Sequence, residues 1–214
     1  MHRIYINPLP VRIWHWINAV SCVMLALSGI QIRYVGLIDV VPFRIAVTVH
    51  NWLGFLVVAN FFLWLLFYLF SDRIRVYHPE LNPIKLFRGC VRQAGYYGYG
   101  IFKGATNPFR LSKYRKFNPL QSLTYQIVML LLLPIQCATG ILLWDLTRFS
   151  RVVEFLGGVR VVDTVHVVIF IVFVFYIPFH AYLASLGRTP MEHYKAMFTG
   201  YEEVDEEESV DEAE

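Results

Sequence analysis

Four stretches of the chain are apolar almost without interruption: Ile13–Ile32, Ile45–Phe70, Leu123–Trp144 and Val161–Leu186. A helix of roughly 20 such residues spans a hydrocarbon core. Asp163, near the start of the fourth stretch, is the only acidic residue in any of them. The pattern predicts an all-α, integral membrane four-helix bundle over residues 1–201, followed by an acidic disordered tail at 202–214. The segment 71–122 is too long for a simple connection. It mixes apolar and basic residues over Leu86–Arg92 and then runs Tyr96, Tyr97, Gly98, Tyr99, Gly100. It reads as an interfacial amphipathic segment with tyrosines at headgroup level, or as a docking surface for a partner.

Composition supports the membrane reading. Of 214 residues, 57% are hydrophobic and only 16% charged, and the mean hydropathy is +0.48. The formal net charge of +3 hides an asymmetry, because residues 202–214 hold nine carboxylates and no base. The remainder carries 19 bases against seven acids, a net +12. These bases flank the apolar runs, which suits a bilayer better than nucleic acid. Ten Lys/Arg lie in 71–122, and Arg3, Arg12, Arg188 and Lys195 lie on the same face. The other face holds Arg33, Arg44, Arg148, Arg151 and Arg160. Both termini and the 71–122 loop are therefore expected in the cytoplasm of a bacterial or archaeal cell, with 33–44 and 145–160 in the periplasm.

Seven histidines are present, and four of them, His15, His50, His166 and His180, fall inside the apolar runs. Polar groups in hydrocarbon are costly and mark function. His166 and His180 are 14 residues apart, nearly four helical turns, so they share a face about 21 Å apart along the axis. With the N-terminus inside, His15 matches His180 in depth and His50 matches His166. Each pair then comes from two different helices and can clamp a planar iron porphyrin from both sides. The expectation is two stacked b haems, with the four histidines as metal ligands. Gly29 and Gly54 are candidate positions where a missing side chain accommodates haem, and Gly140 lies at a depth similar to Gly29. Arg12, Arg33, Arg44 and Arg160 are candidates for pairing haem propionates. Cys22, Cys90 and Cys137 form no C-x-x-C-H site, which excludes covalent haem attachment. A di-iron bundle would need inward Glu-x-x-His motifs, and the runs supply none.

These pieces resemble a known family, the di-haem cytochrome b subunits of respiratory formate dehydrogenases, nickel–iron hydrogenases and thiosulfate reductases. The similar segments are RIWHWINA around His15, HNWLG around His50, FNPLQSLTY at 117–125, and the run from His166 to Tyr201. The phrase around Met197–Gly200 looks most like the thiosulfate reductase and hydrogenase branch. The departure is the 71–122 segment with its tyrosine–glycine cluster.

The resemblance implies a subunit that exchanges electrons with a quinone, menaquinone or ubiquinone, near the cytoplasmic-side haem. It also implies a periplasmic redox partner, an iron–sulfur protein or multihaem cytochrome c, near the other haem. By the same resemblance, Asn118 and Gln121 lie beside the quinone. From the residues alone, Asn118 and Pro119 make a helix cap. Two alternatives stay open: a transmembrane electron conduit without its own quinone site, and a membrane anchor whose haems are structural.

Overall fold

The computed structural model describes residues 2–71, 80, 82–109, 117–187, 189 and 191–204. His78, Arg188 and six of the ten bases of the 71–122 segment lie outside the described residues. A short strand, β1 (His2–Tyr5), leads into α1 (Leu9–Arg33) and α2 (Phe43–Leu69). Then follow α3 (Pro83–Gly95), α4 (Pro119–Trp144), α5 (Ser150–Phe155), α6 (Val159–Ala184), α7 (Glu192–Thr199) and β2 (Tyr201–Val204). Helices α1, α2, α4 and α6 are the four long and apolar enough to cross a membrane among the described residues. A helix satisfies its own backbone polar groups, which hydrocarbon cannot do. Their outer faces expose Leu27, Leu63, Leu130 and Phe175, as lipid contact requires.

Local chemistry sets the ends and irregularities of these helices. Helix α3 starts at Asn82, whose side chain accepts from the Ile84 and Lys85 amides, with Pro83 in the first turn. Helix α4 starts at Asn118 and contains a wider, π-type stretch at Ile127–Leu132. Pro134 follows it closely; proline has no amide to donate, and its ring crowds the carbonyl one turn back. Helix α6 contains Pro178, two residues before His180. Gly157 and Gly158, with φ of +100° and +93°, make the left-handed turn from α5 into α6.

Helix α1 packs along α2, and the second half of α4 packs along α6; α2–α4 and α1–α6 contacts join the two hairpins. The core cluster, Val11, Val57, Trp64, Tyr68, Met129 and Leu133, joins α1, α2 and α4. Trp64 lies against Trp14 and Tyr125, each at 6.0 Å between ring centres.

At the same end, β1 and β2 pair antiparallel, Tyr5 opposite Tyr201. The expected disordered tail is therefore corrected for residues 202–204, which are held in β2 by the amino end of the chain. Residues 205–214 lie outside the described residues. Helix α7 is tied down by Trp16 Nε1 donating to the Met197 carbonyl at 3.1 Å and by Trp16 stacking on Phe198. Tyr194 donates to the Ala181 carbonyl at 2.5 Å.

The 71–122 segment is not a plain loop where it is described. In α3, Ile84, Phe87 and Val91 form an exposed apolar stripe beside Lys85, Arg88 and Arg92. The π-type turn Tyr96–Gly100 follows directly. Helix α3 rests on the start of α4, with Gly89 so close to the Pro119 ring that a Cβ would fall 2.8 Å from it. Gln93 is buried there and donates to Asn107 at 3.3 Å. Burial raises the Tyr97 pKa, with its bonds to Gln93 and Asn118 opposing.

Candidate functional site

The structure brings the four histidines of the spans together in two pairs. His15 of α1 faces His180 of α6 with ring centres 6.3 Å apart. His50 of α2 faces His166 of α6 at 6.5 Å. Imidazole nitrogen binds a transition metal at about 2.0 Å, so two rings on opposite sides of one metal have centres about 6 Å apart. Both pairs have that spacing. Each couple brings together two imidazoles from two different helices, and no cluster of three or more His, Cys, Asp or Glu side chains is present among the described residues.

Around His50 and His166 lies a cavity of about 510 Å³ between α1, α2, α4 and α6. That size is within the roughly 300–1,000 Å³ of cofactor sites. Gly29, Gly54 and Gly140 line it, with Arg33 and Asp163 on the same wall. A Cβ on Gly29 would lie 3.4 Å from the His50 ring, and one on Gly140 would lie 3.3 Å from the His166 ring. These two glycines clear room for the imidazoles themselves. A Cβ on Gly54 would meet nothing within 4 Å, so Gly54 is a wall of the cavity rather than a close neighbour of a ring.

The tautomers follow from hydrogen bonds, whose hydrogens are inferred from the partners. Ser28 Oγ lies 2.9 Å from His50 Nδ1 and donates its single proton to the Met24 carbonyl at 2.8 Å. It can then only accept from the ring. Thr139 Oγ1 lies 2.9 Å from His166 Nδ1 and donates to the Ile135 carbonyl at 2.8 Å. An Nδ1–H tautomer on each ring satisfies both hydroxyls in this arrangement and leaves the Nε2 lone pair for a metal. The Gln136 amide, whose Oε1 is buried without a partner, lies 3.2 Å from His166 Nε2 and donates to that lone pair. The donor set, the spacing and the open cavity fit haem.

At the other pair, His180 stacks on Tyr176 at 5.5 Å and His15 lies edge-on to Trp16 at 5.3 Å. Of the arginine candidates, Arg33 pairs with Asp163 at 3.4 Å. Arg12 donates to the Phe198 carbonyl, and Arg44 and Arg160 are exposed.

Asn118 and Gln121 do not line the cavity. They form a reciprocal cap: Asn118 Oδ1 accepts from the Gln121 amide at 2.8 Å, and Gln121 Oε1 from the Asn118 amide at 3.1 Å. Asn118 is buried and donates its remaining amide to the Tyr97 hydroxyl at 3.1 Å. Asn118 is thus wholly committed to structure. Gln121 is exposed and keeps its Nε2 clear of the cap.

Reading from sequence did not find Ser28, Thr139 or Gln136. The signal was an internal repeat. Ser28-Gly29-Ile30 recurs as Thr139-Gly140-Ile141, and Arg44-x-x-x-Thr48-Val49-His50 recurs as Arg160-x-x-x-Thr164-Val165-His166. The repeat extends to contacts, since Thr48 donates to the Arg44 carbonyl at 2.8 Å and Thr164 to the Arg160 carbonyl at 2.7 Å. The same offsets carry His15 onto Gln126 and His180 onto Trp64, so the His15–His180 pair breaks the repeat. At the position equivalent to His180 stands Trp64, a member of the core cluster.

The family model described as prokaryotic cytochrome b561 matches residues 7–200. The chain belongs to the prokaryotic cytochrome b561 family. It is accordingly a multi-pass membrane cytochrome of the electron-transfer class, in a family that binds haem b. It is 33% identical over 202 residues to the Escherichia coli (strain K12) protein "Putative cytochrome YdhU", covering 93% of this chain and 74% of that protein. It is also 28% identical over 193 residues to "Putative protein-methionine-sulfoxide reductase subunit YedZ1" of Azospira oryzae (strain ATCC BAA-33 / DSM 13638 / PS), covering 85% of this chain and 90% of the relative. No solved structure matches the chain significantly.

Proposed function

We propose that this cytochrome is the quinone-reactive subunit of a respiratory oxidoreductase complex, passing electrons between the quinone pool and a periplasmic redox partner. The observation that carries the reading is the pair of facing histidine couples, 6.3 and 6.5 Å between ring centres, at two levels of one bundle. When bound, a haem b at each couple supplies a one-electron carrier. His15 with His180, and His50 with His166, would hold these groups, one imidazole from each side. Most of the cavity lining that α1, α2, α4 and α6 supply is apolar. Arg33 is placed to meet a propionate at the cavity wall. The positive-inside bias puts the His15–His180 couple on the cytoplasmic side and His50–His166 on the periplasmic side. A relative named as a reductase subunit supports docking to an enzyme partner.

In membranes holding the chain, quinol should reduce the haem rapidly, and a quinone analogue should block this while leaving dithionite reduction intact. Haem that dithionite reduces and quinol does not would identify a conduit or an anchor instead.

The start of α4, at Gln121, is the proposed place for the quinone, since its Nε2 is outside the cap. Gln121→Leu removes that amide at similar volume. One neutral hydrogen bond contributes about 0.5–1.5 kcal/mol, so quinol-driven reduction should slow about two- to tenfold with the haem content unchanged. Loss of haem would show a purely structural role for Gln121. An unchanged rate would place the quinone elsewhere, for instance against α3.

A further inference from the structure

The cavity pair is gripped in the same way on both sides. Ser28 and Thr139 are both buried, at 9% and 7% exposure. Each hydroxyl bonds back along its own helix, Ser28 to the carbonyls of Met24 and Leu25 and Thr139 to those of Ile135 and Gln136. A hydroxyl has one proton and two lone pairs. Once that proton is directed to its own helix, only acceptance remains for the histidine. The next residue in each case is glycine, and a Cβ there would press on the imidazole Cε1 at 3.4 and 3.3 Å. Hydroxyl and glycine together make a mould for one ring, and the chain contains it twice, 111 positions apart.

We infer that Ser28 and Thr139 are twin positioning residues that fix His50 and His166 as Nδ1–H tautomers, aim both Nε2 atoms into the cavity, and set the reduction potential of the centre the two rings share. This rests on the haem reading of the His50–His166 couple. Donation from Nδ1–H makes the imidazole a more basic ligand and favours the oxidised, more positive iron. Both hydroxyls act on one centre, so their effects add there. The His15–His180 couple lies outside the repeat, so its potential is independent of them.

The test is a spectroscopic redox titration of the purified full-length chain carrying Ser28→Ala, Thr139→Ala, or both. The expected shift is about threefold in the oxidised/reduced equilibrium per variant, toward the reduced state, or about 30 mV upward at 59 mV per tenfold. The double variant should move about twice as far, and the second centre should not move. The low-spin ferric resonance of the affected centre should change as the ring planes loosen. Ser28→Thr and Thr139→Ser should restore both readouts. Haem retained at unchanged potential in all variants overturns the inference and leaves the haem reading standing. Loss of haem in the hydroxyl-preserving variants as well as the alanine ones also overturns it, because packing rather than the hydroxyl would then be decisive. Absence of haem from the unaltered chain would instead refute the reading beneath it.

Discussion

Alanine at His50 or at His166 is expected to abolish the same haem component of the reduced-minus-oxidised spectrum, and alanine at His15 or His180 the other. The expectation follows from geometry alone, since the rings face each other across the bundle in those two couples. Helix α6 contributes to both, through His166 and His180, while α1 and α2 contribute one histidine each. Loss of one histidine of a couple would leave the bound group held from one side only. Removing an outer-shell partner typically costs 10–100-fold, and removing a ligand should exceed that, so the component should fall below detection. Redox-resolved spectra of the four purified variants give the answer. If His15→Ala and His166→Ala deleted the same component, the couples would be wrongly drawn.

The second large effect belongs to the glycines against the rings. Gly140→Leu and Gly29→Leu should each remove the His50–His166 component and spare the other. The added Cβ alone would lie 3.3 or 3.4 Å from an imidazole, and the rest of a leucine must enter the ring's place. Overpacking of this kind costs about 1–3 kcal/mol in cores with some freedom to move. Here the ring cannot yield without losing its hydroxyl partner and its aim. Gly29→Ala and Gly140→Ala, which add only the tight Cβ, should give partial occupancy. A haem spectrum unchanged in both leucine variants would show that the rings sit elsewhere when loaded.

What the sequence made legible was whatever hydrocarbon forbids. Long apolar runs showed four spanning helices, because few other structures satisfy a backbone in lipid. Histidines inside those runs were conspicuous for the same reason, and depth counting at 1.5 Å per residue paired them as the structure does. Ser28 and Thr139 were not legible this way, because small hydroxyl residues in a membrane helix also serve simple helix packing. Their meaning emerges only beside His50 and His166, 22 and 27 residues away. The two hairpins differ by five residues in their connections, and this shift obscured the repeat in a single pass along the chain. The β1–β2 pairing joins residues some 200 positions apart, and an acidic run carries no local sign of such a partner. Gln121 had two readings from one motif, and the cap geometry answered only the structural half.

The ratio of haem to polypeptide tests the two-haem reading most directly. The purified chain should give a b-type pyridine haemochrome at two haems per chain, all of it extractable by acid acetone. One haem per chain, or haem that stays with the polypeptide after extraction, would contradict it.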